Sequence, residues 1–379
     1  MAYYFIFPEK DATIYSHPDR NTLNTGNDEI LELVKEKGSI NQKYYPSRIL
    51  IQFSNTDIET AVNLTDGVYF SNLQLFSTEH KNLSSEQSIE VFPISKSWDE
   101  GTGKYSDLPS LSNGCSWVYR DNSITNTEWI TSSFAVNSTG SINPKYGLSQ
   151  GGGEWYIGSG FKGDQIFSNV DSLDLDINVT SIISKYYENI TSIDPLYPTS
   201  IPNYGFIIKN SDAIEEFTSG SNGNLQYFSS DTHTIYPPRL AFKWDDSTHS
   251  QQPSAKLNGA LNVSLYNNKA EYNKNDVAKI KLHVRDKYPN RTFATSSNYL
   301  DVGYFTTSSY YSIRDAHTEE IVIPFDNNCT KLSADSEGMY FNLYMNGLQP
   351  ERYYRILFKH INNDGTQIYD DNYHFKVVR

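Results

Sequence analysis

Cysteine is almost missing from this 379-residue chain. Cys115 and Cys329 stand far apart, in what read as different domains, which excludes a disulfide framework and a Cys-based metal site. Positive charge is also short: 31 Lys and Arg face 45 Asp and Glu, for a net charge of −14. That balance argues against a phosphate backbone as partner, since such binding needs a clustered basic surface. No run approaches the roughly 20 apolar residues of a membrane-spanning helix, so no membrane partner is expected. The start, "MAYYFIFPEKDAT", lacks the basic head and long apolar run of a secretion signal, so synthesis in a cytoplasm is expected. The N-x-S/T triplets at Asn63, Asn137, Asn189 and Asn290 then reflect Asn, Ser and Thr abundance rather than glycosylation.

What is present is aromatic and strand-forming. Tyr occurs 29 times and Phe 19 times against 3 Met, a composition that suits strands and loops rather than helical bundles. Alternating or nearly alternating apolar segments recur at "SRILIQF" (47–53), "SNLQLFS" (71–77), "SIEVFPI" (88–94), "EWYIGSGF" (154–161), "NYGFIIK" (203–209) and "PRLAFKW" (238–244). Long loops at 99–128 and 135–153 separate some of them, and such loops usually carry binding or assembly. One segment within 168–189 reads as a helix, because Val179, Ile182, Ile183 and Tyr186 recur at helical spacing. It is expected to be the single short helix of the first domain.

The polar stretch "DDSTHSQQPSAKLNG" has no periodicity and reads as a linker, placed at 246–258. Strand patterns restart beyond it, from "ALNVSLYN" (260–267) and "VAKIKLHVRD" (277–286) to "RYYRILFKHI" (352–361) and "NYHFKVVR" (372–379), with a hairpin turn pair at Asp364-Gly365. The expected fold is therefore all-β: an N-terminal β-sandwich over 1–245 and an immunoglobulin-like sandwich over 259–379. "LQPERYYRI" places Leu348, Pro350 and Tyr354 at a spacing that resembles the tyrosine corner of fibronectin-type-III domains, which implies a backbone hydrogen bond from the Tyr354 hydroxyl.

The opening segment "DATIYSHPDRNTLNTGNDEILEL" (11–33) poses its own question, since no catalytic group sits in it. In order along the chain, "DATI", "NTGNDEILEL", the arginine-led "SRILIQF", "SNLQLFS", "SWDEGTG" (97–103), "DLDINVTSIISKYY", "NYGFIIK" and "PRLAFKW" resemble the DNRLRE-type jelly-roll domain, a relative of carbohydrate-binding modules. The resemblance implies that Asp11, Trp98 and Tyr204 are fold-motif residues and that 11–33 is strand, turn, strand. It departs in the enlarged, Gly/Ser-rich 99–160 region. As a whole the chain resembles virion structural proteins of contractile-tailed bacteriophages, particularly cyanobacterial ones, through "SYYSIRDAHTEEIVIPFD" (309–326) and "SWDEGTGKYSDLP". That resemblance implies a non-enzymatic tail, neck or baseplate component, localised to the virion, with other virion proteins and copies of itself as partners.

Chemistry is hard to find in the residues. The eight histidines are scattered without zinc-ligand spacing, and no nucleophile elbow, P-loop or dinucleotide fingerprint occurs. "GGGEWYIG" (151–158) lacks the Lys-Ser/Thr ending of a phosphate loop. The acidic pairs Asp99/Glu100 and Asp174/Asp176 are the only hints of a glycan-cleaving enzyme, which needs two facing carboxylates. No cofactor is expected. A structural Ca²⁺ has oxygen ligands in "DNSITN", "FDNNCT" and "NNDGTQIYDD", none of which fits an EF-hand loop. The rival reading is a glycan-binding module contacting host polysaccharide, with Trp155 and Tyr156 or Tyr310 and Tyr311 as an exposed aromatic platform. Loops 99–160 and 295–318 are expected to lie against other virion proteins.

Overall fold

The computed structural model describes residues 2–38, 44–81, 86–123, 126–129, 151–158, 160–168, 172–191, 200–216, 223–250, 261–288, 303–362 and 365–379. The protein is all-β, with five sheets and short helices among the described residues. It divides into two compact units. The larger holds Ile6–Asn63 and Phe70–Ala241; the smaller holds Met1–Phe5, Leu64–Tyr69 and Phe242–Arg379. The passage at Ala241–Phe242 lies just before the expected boundary at 245. The first five residues do not belong with the sequence that follows them.

The larger unit is built on an eight-stranded sheet. Its order is Gly163–Ser168, Glu86–Pro93, Phe206–Asn210, Tyr44–Phe53, Ile30–Lys37, Asn224–Phe228 and Ser77–Lys81, with Pro8–Tyr15 also pairing Tyr44–Phe53. Ile49, Leu50 and Ile51 are consecutive and all fully buried. A strand covered on both faces reads as a continuous apolar run, which is why "RILI" shows no alternation. Phe70–Leu75 pairs antiparallel with Leu175–Asn178.

The expected helix forms at Thr180–Thr191, where Ile182, Ile183 and Tyr186 are buried, and the Asn178 side chain accepts the Thr180 N–H at 3.0 Å. The residues just before it form the strand Leu175–Asn178 instead. Two further helices, Asn55–Asn63 and Asp212–Glu216, join it, so the single-helix expectation is corrected. In Asn55–Asn63 the buried face is Ile58, Ala61 and Val62, a pattern too short to stand out between strands. "EWYIGSGF" is corrected too: among its described residues the pairing is an isolated bridge of Trp155 to Ile94, flanked by backbone bonds from Ser95 to Glu154 and from Tyr156 to Pro93. Gly151, Gly152, Gly153, Gly158 and Gly160 all take positive φ, which breaks any ladder.

Among the described residues, two sheets lie wholly within the smaller unit. One runs Leu261–Leu265, Val277–Asp286, Gly338–Tyr344, Ser333–Asp335; the other runs Glu271–Asn273, Gly365–Val378, Tyr353–Asn362, Ser309–Asp315, Ile321–Ile323. Val277–Asp286 alternates as its sequence says, with Ala278, Ile280, Leu282 and Val284 inward. Tyr311 and Phe341, one from each sheet, stack with ring centroids 3.9 Å apart, and Phe358 meets Phe341 edge-on at 6.3 Å. That aromatic contact lies within the buried core of this unit, among Ile280, Leu282, Ile313 and Ile356. Of the expected linker, residues 246–250 belong to the smaller unit, where Ser250 N–H bonds the Ala334 carbonyl at 3.0 Å; the rest lies outside the described residues.

Candidate functional site

The opening segment closes on the "SWDEGTG" loop. Asn24, fully buried, donates through Nδ2 to the carbonyls of Glu100 (2.6 Å) and Cys115 (2.9 Å), and its Oδ1 accepts the N–H of Gly103 at 2.8 Å. Thr25 and Thr13 lock the two arms together: Thr25 Oγ1 donates to the Thr13 carbonyl at 2.6 Å and accepts the Thr13 N–H at 3.1 Å. Thr13 Oγ1 then accepts the N–H of Glu32 at 3.0 Å. Gly26 is required by close approach, since a Cβ there would lie 2.1 Å from the Glu100 carbonyl oxygen.

Asp11 and Glu100 meet at this joint. The Asp11 N–H donates to Glu100 Oε1 at 2.8 Å, and Asp11 Oδ2 accepts the Ser230 N–H at 2.7 Å. Burial pushes the Asp11 carboxyl up to about 8, and Glu100 and Asp231 nearby add to the rise. Burial likewise lifts Glu100 to about 7. Lys10 donates to the Trp98 carbonyl at 2.5 Å, with its ammonium 4.4 Å from the centre of the Trp98 ring. Trp98 Nε1 donates to the Tyr204 carbonyl at 2.9 Å, so the "SWDE" and "NYGF" stretches touch directly.

Beside this joint lies a tryptophan-rich core that contains four of the five Trp residues. Trp98, Trp117, Trp129 and Trp155 pack with Phe92, Ile94, Cys115 and Ile207, and Tyr204 lies against them. Arg48 enters this core. Its guanidinium sits 4.7 Å from the Trp117 ring centre and 5.0 Å from that of Trp155, and it donates to the Gly152 carbonyl at 2.5 Å. It pairs with Glu215 at 2.9 Å, and neither side chain has any solvent exposure. Lys209 extends the network to Glu215 (3.8 Å), Glu90 (3.4 Å) and Asp212 (2.7 Å). Buried charges persist only when paired in this way. The arginine was visible in "SRILIQF"; its partner is 167 positions away and left no local signal.

The proposed aromatic platform is corrected by burial. Trp155 is 3 % exposed, Tyr310 6 % and Tyr311 not at all, because each fills a core. Tyr156 alone is half-exposed, and its ring stacks on Phe161 at 5.7 Å. Tyr354 donates to the Gln349 carbonyl at 3.0 Å, with Leu348 buried beside it, which is the corner geometry.

The acidic pairs are spent internally. Asp99 accepts the Ser123 hydroxyl, Asp174 accepts both the N–H and hydroxyl of Ser77, and Asp176 accepts Asn72 and Gln74. Among the described residues no group of three His, Cys, Asp or Glu side chains could hold a metal ion, and no helix is long and apolar enough to cross a membrane. Of the calcium-ligand candidates, Asp326 turns its Oδ1 onto the N–H groups of Asn328 and Cys329; "DNSITN" and "NNDGTQIYDD" lie partly outside the described residues. Compared with protein-family models and with curated proteins, the chain matches none.

Proposed function

We propose that this chain is a non-enzymatic structural component of a contractile-tailed phage particle, part of its tail, neck or baseplate. In this reading the larger unit is a jelly roll that docks or decorates. The smaller is an immunoglobulin-like sandwich that reaches a neighbouring subunit, and many copies assemble with symmetry.

The observation that carries the reading is the joint itself. The stretches behind the jelly-roll resemblance interlock with one another: Thr13 with Thr25, Asn24 and Asp11 with Glu100, Trp98 with Tyr204. Their polar groups bond backbone rather than converge on an open cleft, which is the behaviour of architecture. The buried Arg48–Glu215 pair serves the same end, and the Tyr354 corner supports the immunoglobulin-like reading of the smaller unit.

The test is immunogold labelling of purified particles with an antibody to this chain, together with mass spectrometry of the same particles. Gold at one defined site, with abundant peptide, is the expected result. Absence from the particle overturns the reading, and a glycan array on the full chain then tests the polysaccharide-binding alternative.

A further inference from the structure

The strand Ala2–Ile6 serves a distant part of its own sequence: Met1–Phe5 groups with Phe242–Arg379. Among the described residues Ala2–Ile6 neighbours Arg239–Trp244 and stands last in its sheet. Four of its five residues are buried, including Tyr3 and Phe5. The smaller unit holds it in a fitted socket. Asn346 Nδ2 donates to the Phe5 carbonyl at 2.7 Å, the Tyr4 ring meets Tyr344 edge-on at 5.9 Å, and the Lys243 ammonium lies 5.6 Å from the Tyr3 ring centre. Gly347 leaves the space for Phe5: a Cβ there would lie 1.9 Å from Phe5 Cδ2.

One residue, Phe7, separates this strand from the next one at Pro8. Short hinges favour exchange of an identical element between copies. A strand from a second copy would make every contact of the native one. The choice between the two is then set by concentration against the effective concentration of the tethered strand, on the order of millimolar for short linkers. Dilute chains keep their own strand; copies crowded on a growing assembly can trade it.

We propose that Ala2–Ile6 is an exchangeable strand, and that the socket at Gly347 takes Ala2–Ile6 of a second copy during assembly. The inference deepens the assembly reading above and rests on it for its setting.

Two full-length variants test it. One carries Tyr3→Asp and Phe5→Asp, which spoils the strand and leaves the socket; the other carries Gly347→Leu, which blocks the socket and leaves the strand. Each alone should stay monomeric, and their mixture should give a one-to-one heterodimer by native mass spectrometry. No heterodimer, with both variants folded by circular dichroism, overturns the proposal. Should Gly347→Leu not fold, a peptide of residues 2–8 is titrated into the Tyr3→Asp/Phe5→Asp chain. A rise in its melting temperature, absent for the wild type, supports exchange, and no rise overturns it. A heterodimer from a chain missing from particles would leave exchange standing and remove the virion role; the converse pair of results would do the opposite.

Discussion

The two units treat their carboxylates in opposite ways. In the larger, Asp11, Asp28, Asp57 and Glu100 are all raised, in each case chiefly by burial. In the smaller, Asp245, Asp315, Asp335, Glu351 and Asp370 are all lowered. Burial pushes Asp315 up as well, but the N–H groups of Thr318 and His317 and the nearby Arg352 outweigh it. Glu351 is lowered first by its hydrogen bond to Lys376. In the larger unit Asp11 and Glu100 pack into a joint with no cation among the described residues hydrogen-bonded to either; in the smaller, the lowered carboxylates cap turns and form ion pairs. Acidity of composition therefore says little about what acidic groups do: position decides whether ionisation costs or helps.

The sharpest way to break the comparison is to remove the Arg48–Glu215 ion pair, which the larger unit buries completely. Glu215→Gln leaves Arg48 and Lys209 buried without their shared anion, and should destabilise that unit by about 3–5 kcal/mol. Differential scanning calorimetry should show its transition falling while that of the smaller unit holds.

Next comes the joint. Asn24→Ala strips the Glu100 and Cys115 carbonyls of their donor and the Gly103 N–H of its acceptor, each loss costing about 1–3 kcal/mol. Hydrogen exchange should quicken across residues 97–115 and stay unchanged in the smaller unit.

The smaller unit has its own counterpart in Tyr354→Phe, which deletes one corner hydrogen bond to Gln349 and should cost about 1 kcal/mol in chemical denaturation.

The gentlest probe is pH. In the larger unit the folded state keeps protons that the unfolded chain has released, between the ordinary carboxylate range and the folded values of about 7 for Glu100 and about 8 for Asp11. Its stability should fall as pH rises through that window, and Asp11→Asn should flatten the slope. The lowered carboxylates of the smaller unit bind fewer protons when folded, so its stability should fall as pH drops below about 4. His360, lowered by burial, adds to that loss from about pH 6.5 downward. Opposite slopes for the two calorimetric transitions are expected; parallel slopes would break the comparison.

Sequence pattern was a sufficient guide where one face alone is buried. Val277–Asp286 alternates because only one side meets the core. It failed where burial is two-sided or absent. Tyr310 and Tyr311 looked available for a ligand, yet Ser309–Asp315 is buried almost throughout, so adjacent aromatic residues both vanish into packing. Trp155 sits in a Gly-rich stretch that reads as an exposed loop, but Arg48 and Phe92 cover it. Asn24 carried no more signal than any loop asparagine. Its importance comes from carbonyls 76 and 91 positions away.

The amino-acid order by itself determined the all-β class, the short strands and the restart of strand patterns near residue 260, because side-chain alternation and turn residues act over a few neighbours. Only the tertiary structure decided that Arg48 would find Glu215, that the "SWDEGTG" loop would close over Asn24, and that the first strand would join the smaller unit. Those pairings depend on which distant segments desolvate each other, and no local pattern records that.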